Sequence, residues 1–154
     1  MKYSEIRKEI DKNYKHDTNF CTVVASSVAF DLPFELVHEF YAEHGRELRK
    51  GLMPDKTDEM ILKLAEITGY KVSCFSPDRK HKYLTGFSRW VNDEGEILTQ
   101  LKHSLTPNNA EAYLPLGNYI LGVRRHVLGV ENGIVQDWTQ GKKHKINRVW
   151  KIEI

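Results

Sequence analysis

The chain has 154 residues, 40% of them hydrophobic and 29% charged, with a formal net charge of +2. This is one domain's worth of sequence with enough apolar content for a core, and its near balance of charge gives no electrostatic case for a nucleic-acid or anionic-membrane partner. No stretch approaches the roughly 20 apolar residues of a membrane span, and the opening segment MKYSEIRKEIDK is too polar for a signal peptide, so a soluble, cytoplasmic protein is expected.

The first segment is polar, with Ile6 and Ile10 one turn apart, and predicts a short amphipathic helix over about 3–13. From Cys21 the character changes. Cys21-Thr22-Val23-Val24-Ala25-Ser26-Ser27-Val28-Ala29 is apolar or small at nearly every position, which by composition suits a strand; its small residues and the boundary at Leu32-Pro33 argue for a buried helix. Pro33 opens the next helix with Phe34, Val37, His38 and Tyr41 on one stripe, ended by Gly45. A basic loop, Arg46 to Gly51, leads to a further helix over Asp58–Thr68, stopped by Gly69.

The period then shortens to two. Residues 70–76 read as a strand, and 79–116 give no clear pattern apart from the loop-forming Thr106-Pro107-Asn108-Asn109. Gly117 to Val130 reads as one long strand, turned by Glu131-Asn132-Gly133 and returned by Ile134 to Trp138, because Asn-Gly between apolar runs is a strong hairpin signal. A last strand is expected over about 146–154. Helices first and antiparallel sheet second make a single α+β domain over 1–154.

Two cysteines, Cys21 and Cys74, form neither a CxxC pair nor a disulfide framework, so both are expected as thiols in a reducing compartment. A thiol at a helix start meets backbone N–H groups and the positive end of the helix dipole, which favour thiolate. A helix that begins at Cys21 gives its thiol that position, and the same N–H groups can receive an oxyanion, with the Asn19 amide as a second donor. A nucleophile needs a base. Of seven histidines, His126 stands apart because it lies in the long strand with a hairpin after it. With a two-residue Asn132-Gly133 turn, Asp137 faces Leu128 and becomes a diagonal same-face neighbour of His126; a three-residue loop places it on the other face.

Asn19-Phe20-Cys21-Thr22-Val23-Val24-Ala25, continuing through Leu32-Pro33-Phe34-Glu35-Leu36-Val37-His38, resembles the N-terminal block of small papain-like cysteine peptidases of bacteria and phages, distantly similar to bacteriocin leader peptidases. Gly117 to Leu121, His126-Val127-Leu128 and Gly133 to Trp138 resemble the His and Asp block of that family. The likeness covers roughly 17–45 and 115–140. It implies a papain-like fold, with the cysteine opening a central helix that packs on a C-terminal antiparallel sheet. It further implies Cys21 as nucleophile, His126 as base and acid, Asp137 as orienter and Trp138 as an aromatic shield beside the His–Asp pair. A peptide or isopeptide bond of a protein substrate would be cleaved through an acyl-enzyme, without cofactor, in the cytoplasm (that of the host for a phage protein). Such enzymes carry a Gln several residues before the cysteine; here Lys15, His16 and Asp17 occupy those positions, and Asn19 is the substitute donor. The alternative is a papain-like binding or inhibitor module with a weak thiol site.

The remaining features have plainer readings. Cys74 is expected as a core residue of its strand. The basic run Gly141-Lys142-Lys143-His144-Lys145 is a solvated turn rather than a nucleic-acid patch, and His38 and His44, six apart, do not make a metal pair on one helical face.

Overall fold

The structure, a computed structural model, describes residues 2–52, 54–75, 106–107, 110–111, 114, 116–136 and 146–154. Among these the chain is α+β, with four helices and a five-stranded antiparallel sheet.

Helix α1 spans Tyr3–Asn13 and buries Ile6 and Ile10, the two apolar positions one turn apart; Glu5 reaches back to accept the Lys2 backbone N–H at 3.0 Å. Helix α2, Cys21–Phe30, is buried at every position from Thr22 onward. A helix that is apolar or small all round belongs inside the molecule, and this one is enclosed between the other helices and the sheet. Its end is held by Asp31 in the left-handed region, by the Leu32 N–H donating to the Ser27 carbonyl at 3.1 Å, and by the Asn118 side chain donating to the Ala29 carbonyl at 3.1 Å. Inside the fold, Ser26 and Tyr41 satisfy each other through a 2.6 Å hydroxyl pair.

Pro33 caps α3, Phe34–Glu43, which buries Phe34, Val37, Phe40 and Tyr41. Helix α4 covers Pro54–Thr68, starting about one turn before the Asp58 expected from the sequence, because a proline is tolerated where the first helical N–H needs no partner. Gly69, at φ 76°, ends it.

The strands are β1 Lys71–Phe75, β2 Asn118–Val123, β3 His126–Glu131, β4 Ile134–Gln136 and β5 Arg148–Glu153, in the spatial order β1-β5-β2-β3-β4. One expectation is corrected here. The run Gly117–Val130 is not one strand: Arg124 and Arg125 form a two-residue turn, and Val123 pairs with His126 across it. A strand of that length would extend roughly 45 Å, more than twice the usual span, and the charged pair breaks it at the surface. The next turn is the two-residue Asn132-Gly133 turn, with φ of 50° and 80°, and Glu131 pairs with Ile134. Two positive φ values in a two-residue hairpin are what Asn-Gly supplies at low cost.

Both sheet faces carry core. Ile120, Trp150 and Ile152 pack against the helices, while Tyr119, Leu121, Leu128, Val130 and Val149 form a second cluster with Ala110 and Ile146 on the other face. Helix α2 packs tightly on the sheet at Gly129, where an added Cβ would stand 2.7 Å from Val28 Cβ and 2.9 Å from the Ala25 carbonyl oxygen. Gly129→Ala must push the helix off β3, and a loss of about 1–3 kcal/mol in urea unfolding is expected. An unchanged midpoint would mean that α2 does not seat there.

Candidate active site

Helix α2 begins at Cys21 because the backbone cannot be helical earlier. Asn19 has φ 59°, a left-handed conformation that Asn tolerates better than most residues, and Phe20 then serves as N-cap. The first helical bond is Val24 N–H to the Phe20 carbonyl at 2.8 Å. The N–H groups of Cys21, Thr22 and Val23 therefore have no partner within the helix, and Phe20 has no side-chain acceptor to occupy them as Ser or Asp would.

His126 opens β3 directly after the Arg124-Arg125 turn. Its imidazole and the Val127 backbone N–H lie near enough to the half-buried Cys21 thiol to act on its charge. Burial alone would raise the thiol pKa; the His126 hydrogen bond, the Val127 N–H, the His126 charge and Thr22 outweigh it and hold Cys21 below its ordinary value. Cys74 lies in the opposite situation. Burial pushes its thiol up to about 11, the Arg148 charge opposing and the Asp58 charge adding to it.

The segment leading into Cys21 is fixed by a carboxylate that the sequence gives no reason to single out. The Asp17 side chain is fully buried, receives Arg46 Nη1 at 2.8 Å and His38 Nε2 at 2.8 Å, and accepts the backbone N–H groups of Arg49 at 2.5 Å and Thr18 at 2.8 Å. Arg46 also donates to the Thr18 carbonyl at 2.8 Å and lies 5.3 Å over the Phe20 ring. The His38 ring sits among Tyr14, Phe20 and Phe34, with centroids 4.6, 5.9 and 5.8 Å away. Burial works against the Asp17 charge, but Arg46, His38 and the two backbone donors prevail and hold its carboxyl below the usual carboxylate range. Residues 17–20 are thus tied to α3 and to the 46–49 loop.

Cys21, His126 and Asn19 line one cleft of about 460 Å³. The exposed Asn19 amide donates to the Arg49 carbonyl at 2.7 Å, which takes one of its two N–H groups. Register is set by the two-residue turn as far as Gly129–Gln136; Asp137 and Trp138 lie outside the described residues, as does the basic run 141–145. Cys74 is half-buried in β1, opposite Trp150. Asp17, Arg46 and the placement of His38 were not legible in the sequence, since a buried acid among Lys15, His16 and Thr18 looks like any solvated one.

Among the described residues, no group of three His, Cys, Asp or Glu side chains is arranged to hold a metal ion, and no helix is long and apolar enough to cross a membrane. No family model, curated protein or solved structure matches the chain.

Proposed function

We propose that the chain is a papain-like thiol hydrolase that cleaves a peptide or isopeptide bond of a cytoplasmic protein or peptide substrate. The observation that carries this reading is that Cys21, the first residue of a buried helix, shares one cleft with His126, whose ring favours the charged form of the thiol. Three features together (a nucleophile, a base in the same cleft, and backbone donors with no helical partner) are the parts that acyl transfer requires.

The steps follow. Cys21 gives its proton to His126, and the thiolate sulfur bonds to the carbonyl carbon. The carbonyl oxygen becomes an oxyanion that the Cys21 N–H and the second Asn19 amide hydrogen can receive. Collapse breaks the C–N bond; the departing amine takes the proton from His126 and leaves a thioester. Water then attacks, its proton passing to His126, and cleavage of the C–S bond returns the thiol and releases the acid. Asp137, next in sequence after β4, would orient the imidazole, and Trp138 would shield the pair from water.

A specific observation keeps the binding-module reading in play: Asn19 already spends one donor on Arg49, and no Gln precedes the cysteine. A mass-spectrometric screen of a diverse peptide library separates the two. The hydrolase reading predicts new cleavage products from the wild-type protein and none from Cys21→Ala. Retained peptides without cleavage, bound equally by both proteins, would instead establish the binding module.

A further inference from the structure

The cleft that holds Cys21 is not electrically neutral. Arg7, Asp11, Lys15 and Arg125 all line it together with the nucleophile and His126. Asp11 is matched by Arg7 one turn earlier on α1, at 3.6 Å. Asp17 is buried against Arg46 and so contributes no uncompensated charge to the cleft. Lys15 and Arg125 remain. Both are exposed, and among the described residues no carboxylate pairs with either. Glu9, Glu35 and Glu39 are close enough to Tyr14 to act on its phenol, but none of them lines the cleft.

The backbone under Arg125 is a second, independent sign. Arg125 has φ 62° in the β2–β3 turn. A branched or long side chain in the left-handed region is held there at a cost that Gly or Asn would largely avoid, and the neighbouring β3–β4 turn does use Asn132 and Gly133. Strain of this kind is kept where the side chain is needed. Here it puts a guanidinium at the cleft, one residue before the base.

We infer that the cleft selects acyl substrates carrying a carboxylate close to the bond cleaved, with Lys15 and Arg125 as specificity-determining residues. The inference rests on the thiol-hydrolase reading and names its substrate class: acidic peptides or acidic conjugates. The two cations approach the substrate from different segments, Lys15 from the turn after α1 and Arg125 from the sheet turn. A carboxylate between them gains twice, while a substrate of positive charge is repelled twice.

Alkylation of Cys21 tests this without a known substrate. Iodoacetate and iodoacetamide deliver the same carbon to the same sulfur, one with a carboxylate and one without, so their rate ratio reports the charge of the cleft. Any change in the thiolate fraction affects both reagents and cancels. Relative to the same ratio for glutathione, the wild-type ratio should favour iodoacetate by about fivefold at low salt, as two unit charges at roughly 8 Å in a wet cleft imply. The advantage should vanish at about 0.5 M salt and in the Lys15→Gln/Arg125→Asn double variant, whose asparagine suits the turn. A ratio equal to that of glutathione, or one unmoved by the double substitution, overturns the inference. Failure of the hydrolase reading looks different: iodoacetamide alone would then modify Cys21 no faster than an ordinary thiol, and independently of His126.

Discussion

Replacing Asp17 with Asn is expected to lower the unfolding free energy by about 3–5 kcal/mol. The reason is the partner left behind. The Arg46 side chain is 2% exposed and that of Asp17 is 0% exposed, so removing the negative charge strands a guanidinium in a place where water cannot solvate it. An asparagine can keep a hydrogen bond to Arg46 but cannot offset its charge, and it cannot accept as well from Arg49 N–H, Thr18 N–H and His38 together. In thermal unfolding the loss should appear as a fall of about 6 °C or more. A change within about 0.5 kcal/mol would place Asp17 with ordinary surface pairs and contradict the fully buried network.

The same group predicts an acid limb. The folded-state pKa of Asp17 is depressed, so its contribution to stability is fully present above the unfolded value of roughly 3.9 and is lost as pH falls below it. Wild type should therefore lose stability steeply below about pH 4, and Asp17→Asn less steeply, because the variant has no proton to take up at this site.

The second large effect is the contrast between the two thiols. Near neutral pH, Cys74 at about 11 has roughly one thiolate in ten thousand. An ordinary thiol has a few in a hundred, and Cys21 lies below the ordinary value. The more basic Cys74 thiolate is the better nucleophile, which recovers roughly a tenfold factor. The balance still leaves Cys21 alkylated at least about twentyfold faster, before any hindrance from the strands around Cys74 is counted. Peptide mapping after brief iodoacetamide treatment reads this directly. Equal modification of the two cysteines would remove the electrostatic basis for Cys21 as nucleophile.

Local signals in the sequence account for most of the fold and for part of the site. Helix α1 follows from Ile6 and Ile10, α2 from an apolar run bounded by Leu32-Pro33, and the β3–β4 hairpin from Asn132-Gly133, whose two-residue form settles the register through Gln136. The β2–β3 turn is hidden in the sequence for the same reason that the other is visible. Arg124-Arg125 contains neither Gly, Asn nor Pro, so the only sign of a turn is a charged pair within an apolar run, and His126 is the first residue of a strand rather than an interior one. The role of Asp17 is hidden in the sequence because it is non-local. Its partners stand 21, 29 and 32 positions away, and only the folded chain brings His38, Arg46 and Arg49 to one carboxylate.

That network also explains how a phenylalanine can precede the nucleophile. Where many helices depend on a polar N-cap, here the entry to α2 is fixed from behind by Asp17 and Arg46, which leaves the first-turn donors around Cys21 for another acceptor. Local stability and the proposed chemistry thus draw on one arrangement. Strengthening the cap with Ser or Asp would compete for the same N–H groups.

The most direct test of the account is the pH dependence of Cys21 alkylation by iodoacetamide in wild type and in His126→Ala. The wild-type rate should rise with a midpoint below that of an ordinary thiol, and the variant midpoint should move upward toward or beyond it, since burial then acts with less to oppose it. A single midpoint at or above the ordinary value in both proteins would contradict the pairing of Cys21 with His126.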